Sequence, residues 1–285
     1  MAIFTNQATM TYNGRTVNSN IATGNLLETL TMTKTPVSAS YAAGDNVTYV
    51  INLINSGTTA LNGITVTDNL GSYQTAGGTT VYPLTYEANS LKYYINGVLQ
   101  AAPTVTAGPP LSITGLNIPA NSNAAIVYNA AANEFAPLTA ESTIQNTVTA
   151  TGAGLGTPIT AESTVAASAQ PELNIIKAIS PANVTQNSQV TYTFTIQNTG
   201  STAAVAADNV IITDTFNPIL SDIAVTFNST AWTSPANYTY NAATGLFTTA
   251  AGQITVPAAT YTQNPTTGVI TAVPGESVLT VTGTI

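Results

Sequence analysis

Apolar and polar residues alternate along most of this chain. Val190, Tyr192, Phe194 and Ile196 interleave with Thr191, Thr193 and Thr195, the two-residue period of a strand with one buried face. Val47, Tyr49, Ile51 and Leu53 keep the same period, with Val50 and Ile54 apolar on the opposite face. That pattern predicts a strand covered on both sides. Gly and Pro clusters at Gly77-Gly78, at Gly108-Pro109-Pro110, between Gly152 and Pro158, and between Pro265 and Gly268 punctuate the strands. No long stretch has a helical period. The pattern predicts an all-β chain of two tandem immunoglobulin-like β-sandwich domains.

The pattern also repeats. Val47-Thr48-Tyr49, Asn55-Ser56-Gly57 and Val66-Thr67-Asp68 recur as Val190-Thr191-Tyr192, Asn198-Thr199-Gly200 and Ile212-Thr213-Asp214. Lys34 maps to Lys177 and Val47 to Val190 at a constant offset of 143 residues. Pro119-Ala120-Asn121-Ser122 corresponds to Pro274-Gly275-Glu276-Ser277, each opening a strand. The first copy then continues through a strand-like Asn146-Thr147-Val148-Thr149-Ala150, for which the second copy has no counterpart. A similar segment, Asn6-Gln7-Ala8-Thr9-Met10-Thr11-Tyr12, precedes the first copy.

The predicted organisation is a donor segment at 1–27, a sandwich at 28–165 and a second sandwich at 166–285 lacking its last strand. A sandwich without that strand exposes unpaired backbone groups and an open core. Another copy's donor strand, with Phe4, Asn6, Ala8, Met10 and Tyr12 facing inward, would fill it by β-augmentation. Donor and acceptor are different surfaces, so repetition gives a head-to-tail filament. Closure within one chain is disfavoured. The 15–29 connection spans at most about 50 Å, against roughly 37 Å for a compact domain of this size.

Composition narrows the function classes. Of 285 residues, 44% are hydrophobic and only 6% charged, with a net charge of −8. The only basic residues are Arg15, Lys34, Lys92 and Lys177, so binding to nucleic acid or anionic lipid is not expected. No apolar run is long enough for membrane insertion. The chain has neither cysteine nor histidine, which removes thiolate chemistry and the usual general base, and with them the commonest transition-metal ligands. No cofactor and no metal are expected, and the 12 carboxylates show no glycosidase-like pairing, so the chain does not read as an enzyme. The start of the chain does not resemble a secretory signal.

Parity singles out polar residues on buried faces. Lys34 shares a face with Leu30 and Met32, and Lys177 with Leu173 and Ile175. Asp68 lies with Ile64 and Val66, Asp214 with Val210 and Ile212, Asn146 with Val148, and Asn6 with Ala8. Together, Lys-Thr-Pro, Val-Thr-Tyr, Asn-Ser-Gly, Thr-Val-Thr-Asp and Asn-Thr-Val-Thr resemble the bacterial conserved-repeat domains of surface proteins known as domain of unknown function 11. The resemblance spans both repeats and implies a structural module of cell-surface or fibre proteins. The trio also resembles the logic of Cna-type pilin domains, in which a first-strand Lys joins a last-strand Asn with help from an acid. That resemblance implies a crosslink from Lys34 to Asn146 with Asp68 as proton shuttle, and from Lys177 to a neighbour's Asn6 with Asp214 as shuttle. Unlike many such surface proteins, the chain shows no leader and no C-terminal sorting signal, so wall anchoring by that route is not expected.

The expected function is a self-polymerising subunit of an extracellular fibre on a cell or spore surface, its anchoring protein unknown. The rival is an adhesin or carbohydrate-binding surface module, displaying loops around Tyr73–Tyr82 and Tyr238–Phe247 with Trp232, Tyr238 and Tyr240 as stacking candidates.

Overall fold

The computed structural model describes residues 2–26 and 29–285. The chain is all-β and divides into two compact units, one running to Ala136 and including Thr143–Val165, the other Pro137–Ser142 with Ala166–Ile285. Among the described residues no helix is long and apolar enough to cross a membrane.

The first unit is a sandwich of two sheets. One carries, in order, Val98–Leu99, Lys92–Ile95, Ser122–Ala132, Asn46–Asn55 and Leu30–Pro36. The other carries Thr104–Thr106, Leu111–Ile118, Leu61–Asp68, Thr143–Thr151, Ile159–Ala167 and Ser40–Tyr41. Alternation sets the core: Val47, Tyr49, Ile51 and Leu53 from one sheet, and Ile64, Val66, Val148 and Ala150 from the other, are fully buried. The opposite face of the Asn46–Asn55 strand is not covered as expected. Val50 is half-buried and Ile54 is 47% exposed, because that face of the sheet has no second layer over it.

The second unit has a five-stranded sheet, Leu173–Ser180, Gln189–Asn198, Gly275–Thr284, Ser221–Phe227 and Thr230–Trp232, and a three-stranded one, Thr213–Thr215, Leu246–Thr249 and Tyr238–Asn241. Phe194, Ile196, Leu279 and Val281 from the first meet Ile212, Phe247 and Tyr238 from the second in one cluster.

Each unit turns on a buried asparagine. Asn55 Nδ2 donates to the carbonyls of Thr59 (2.9 Å) and Pro119 (3.0 Å) while Oδ1 accepts from Gly57 N (3.0 Å). Asn198 repeats this with Thr202 (2.7 Å), Pro257 (3.0 Å) and Gly200 (2.9 Å). The recurring Asn-Ser-Gly and Asn-Thr-Gly are therefore structural: each side chain satisfies buried backbone groups at a turn.

The N-terminal segment is a hairpin. Ala2–Asn6 pairs with Ala22–Leu26, and Thr9–Tyr12 with Arg15–Asn18. The turn is Asn13-Gly14, both with positive φ (46° and 73°), as a tight two-residue hairpin loop requires. The expected continuous strand from Phe4 to Tyr12 is thus two strands separated by Gln7 and Ala8, and its partner is its own chain. Three residues separate Asn18 from Ala22 where two separate Asn6 from Thr9, so the bulge lies in the second strand and the first keeps its parity. Every residue from Ile3 to Thr23 is exposed.

Candidate functional site: the lysine–aspartate sites and an uncovered sheet face

In the first unit Lys34, Asp68 and Asn146 come together. All three are buried, at 5%, 0% and 0% exposure. Lys34 lies opposite Ile51 on the edge strand, and Asp68 opposite both Leu111 and Val148 in the facing sheet. Lys34 Nζ donates to Asp68 Oδ2 at 2.5 Å and sits 4.6 Å from the centroid of the Tyr49 ring. Asp68 Oδ2 also accepts from the Tyr128 hydroxyl at 2.5 Å, and Oδ1 from Leu70 N at 2.9 Å. Asn146 Oδ1 accepts from Gly71 N at 3.3 Å. Its Nδ2 and the Tyr49 hydroxyl complete no hydrogen bond of normal geometry among the described residues.

Burial pulls the Lys34 ammonium down to about pKa 8 from 10.5, against the opposing pull of Asp68. About a tenth of the amine is therefore neutral and nucleophilic at pH 7, far more than for a free lysine. Burial likewise raises the phenols of Tyr49 and Tyr128, with Asp68 adding to the rise and the Asn146 amide working against it. The Asn146 side chain is thus close enough to act on both phenols that flank the ion pair. Sequence reasoning missed Tyr128. Its signal was a lone aromatic among small residues in Ala124-Ala125-Ile126-Val127-Tyr128-Asn129-Ala130, in phase with the buried positions.

These shifts fix a pH dependence. Lys34 has a folded-state pKa below its unfolded value, so between about pH 8 and 10.5 the unfolded chain binds the extra proton and stability rises with pH. The penalty for the charged amine is fully present below pH 8. Above about pH 10 the raised phenols of Tyr41, Tyr49 and Tyr128 reverse the trend, since unfolded tyrosines then release protons that the folded ones hold. Denaturant unfolding should show a maximum near pH 10, and Lys34→Met should remove the rise leading to it.

The second unit reproduces only part of this site. Lys177 Nζ pairs with Asp214 Oδ2 and sits 4.7 Å from the Tyr192 ring centroid, just as Lys34 sits over Tyr49. Val281 lies opposite Tyr192 where Tyr128 lies opposite Tyr49, so the hydroxyl donor is missing. The Lys177 and Asp214 side chains are 41% and 18% exposed, against 0% for both members of the first pair. Parity had aimed Lys177 at a covered core; it faces the core side, over the Tyr192, Phe194 and Phe216 rings, but its side chain is only partly covered.

The same holds for its strand. Leu173, Ile175 and Ile179 lie opposite Asn198, Ile196 and Tyr192, hence on the core face, yet they are 39%, 49% and 40% exposed. Their counterparts Leu30 and Met32 are 2% and 8% exposed. The cause lies in the other sheet. Leu61–Asp68 is flanked on both sides, by Leu111–Ile118 and Thr143–Thr151, whereas Thr213–Thr215 is an edge strand beside Leu246–Thr249 alone.

The N-terminal residues Phe4, Asn6, Ala8, Met10 and Tyr12 are brought to neither site; all are exposed, Phe4 at 61%, Met10 at 60% and Tyr12 at 50%. The Phe4 ring lies against Gly24 of the paired strand, close enough that a Cβ there would fall 2.3 Å from Cζ. The aromatics considered for sugar stacking serve the core. Trp232 stacks on Phe227 at 5.0 Å, Tyr238 is 7% exposed, and Tyr240 packs against the same cluster and donates to Leu220 O.

No family model matches the chain, and no curated protein matches it. Among solved structures it is similar to the major pilin BcpA of Bacillus cereus, at 11% identity over 95% of this chain and 73% of that one, with a TM-score of 0.36. It is also similar to the 35 kDa C-terminal fragment of the major pilin GBS80 of Streptococcus agalactiae, at 11% identity over 87% and 91%, TM-score 0.36. A third is a family 123 glycoside hydrolase from Clostridium perfringens, at 13% identity and TM-score 0.31, of whose length this chain spans 27%.

Proposed function

We propose that this protein is a structural subunit of an extracellular fibre, joined head to tail when the N-terminal segment of one copy completes the second unit of the next. The observation that carries the reading is the pairing of an uncovered core face at Leu173, Ile175 and Ile179 with an apolar segment that has no core of its own. The first unit supplies the template. Ile144, Asn146, Val148 and Ala150 are 2%, 0%, 0% and 0% exposed, and Phe4, Asn6, Ala8 and Met10 match them residue for residue. Val148 lies opposite Asp68 and Ala150 opposite Val66, so the donated strand sets Ala8 opposite Asp214 and Met10 opposite Ile212. Covering Phe4 and Met10 stabilises the junction by about 1.5–3 kcal/mol each, with ladder hydrogen bonds in addition.

The same register carries Asn6 to Lys177 and Asp214, completing the trio already assembled by Lys34, Asp68 and Asn146. The chemistry of the trio is amide exchange. Neutral Lys Nζ attacks the Asn side-chain carbonyl carbon, a new C–N bond forms, the bond to Nδ2 breaks, and ammonia leaves. The Asp carries the amine proton to the departing nitrogen. The unpartnered Asn146 Nδ2 supports this reading. A buried donor without an acceptor costs about 1–3 kcal/mol, and the reaction expels that very group.

Electron microscopy of the purified protein tests the assembly, with filaments expected and discrete particles refuting it. Ile175→Asp places a charge on the uncovered face. It should leave the unfolding midpoint of the free subunit nearly unchanged, since Ile175 is 49% exposed there, while abolishing filaments. Filaments of normal length from this variant would exclude the Leu173–Ser180 face as the acceptor.

A further inference from the structure

We infer that the element exchanged between copies is the whole N-terminal hairpin, both strands, and not a single strand; this rests on the strand-donation reading above. The first unit shows how many strands the second is short of. Next to Leu61–Asp68 come Thr143–Thr151, then Ile159–Ala167, then the short Ser40–Tyr41. Two strands therefore separate Leu61–Asp68 from Ser40–Tyr41. In the second unit Thr213–Thr215 corresponds to the first of these flanking strands, and Asn183-Val184 corresponds to the last at the constant offset. Tyr41 is 1% exposed beneath its neighbours, whereas Val184 is 38% exposed. Both edges of a gap two strands wide are open.

A single inserted strand would cover Thr213–Thr215 and leave Val184 bare. It would also present its own outer edge to solvent, moving the unpaired row of backbone groups instead of removing it. The hairpin fills both places. Its two strands already hydrogen-bond to each other along their inner edges, which leaves one outer edge for Thr213–Thr215 and the other for the segment at Val184.

The faces agree as well. Phe4 lies opposite Gly24, Asn6 opposite Ala22 and Met10 opposite Val17, so Val17, Ala22 and Gly24 share the face that the donated strand turns inward. Counting back from the lysines, Ala22 and Gly24 correspond to Val165 and Ala167, which are 0% and 5% exposed in the first unit. The hairpin is already formed before docking, with Asn13-Gly14 closing it, so exchange requires no strand to be peeled from a partner.

Cysteine pairs read both strands separately, in the full chain, which has no native cysteine. Thr149 lies opposite Thr67 in the first unit, so Thr9→Cys with Thr213→Cys should give disulfide-linked ladders on a non-reducing gel. Val184→Cys, combined with a second cysteine moved through residues 20–24, should give ladders for at least one position. Ladders in both sets support hairpin exchange. Ladders from the first pair with monomer throughout the second set would overturn the hairpin and leave strand donation standing. Monomer from the first pair as well would remove donation, and the hairpin with it.

Discussion

Removing residues 1–26 is expected to abolish polymerisation while leaving a folded protein. Ile3 to Thr23 are all exposed, so these residues add nothing to either core. Their loss should move the unfolding midpoint by less than about 2 °C, the scale of a surface change on a unit of this size. The effect on assembly should be total, because in the proposed assembly every junction would use the same segment. The measurement is light scattering and electron microscopy beside thermal unfolding monitored by tyrosine fluorescence. Filaments from the truncated protein would end the donation reading. A collapse of the unfolding midpoint would show instead that the hairpin is part of the first unit's own fold.

The second large effect separates the two lysines. In protein where no bond has formed, Lys34→Ala leaves Asp68 buried and uncompensated beside Tyr128, which should destabilise the first unit by about 3–5 kcal/mol. That corresponds to a fall in unfolding temperature of the order of 10 °C. Lys177→Ala should cost the free subunit well under 1 kcal/mol, since that pair is solvent-screened. Intact mass adds an independent readout. Bond formation at Lys34 and Asn146 makes the subunit lighter by one ammonia, and Asp68→Ala should return the full mass. The bond at Lys177 and Asn6 should form only in filaments, giving ladders that survive boiling detergent, and Lys177→Ala should convert them to monomer without preventing assembly. A subunit of unmodified mass and filaments that dissolve completely in detergent would leave the trio as an ion pair and nothing more.

The architecture was legible because a two-residue period and a constant repeat offset are local signals that tertiary packing did not overrule. Lys34, Asp68 and Asn146 were legible for the same reason: parity placed each on the face of buried neighbours, and long-range pairing then brought the faces together. Lys177 shows the limit of that logic. Parity gives the side a residue faces but not whether anything lies over it, and cover depends on strands remote in sequence. Tyr128 was passed over because its role comes from the strand opposite, where Tyr49 stands beside it. At the N-terminus two signals compete: Asn13-Gly14 is a strong local turn signal for a hairpin within residues 1–27, whereas the likeness of residues 6–12 to residues 146–150 points to a single strand. Ile54 misled in the other direction, an apolar residue on a sheet face that stays open to solvent.

In a fibre built by the proposed exchange, the hairpin and the uncovered face are different surfaces of each subunit, so the two tips would be unlike. One would present the ready-made hairpin, the other the uncovered face of the second unit. A foreign protein bearing either half of the joint can bind just one of these tips, so a single docking event at a surface would orient every subunit that follows.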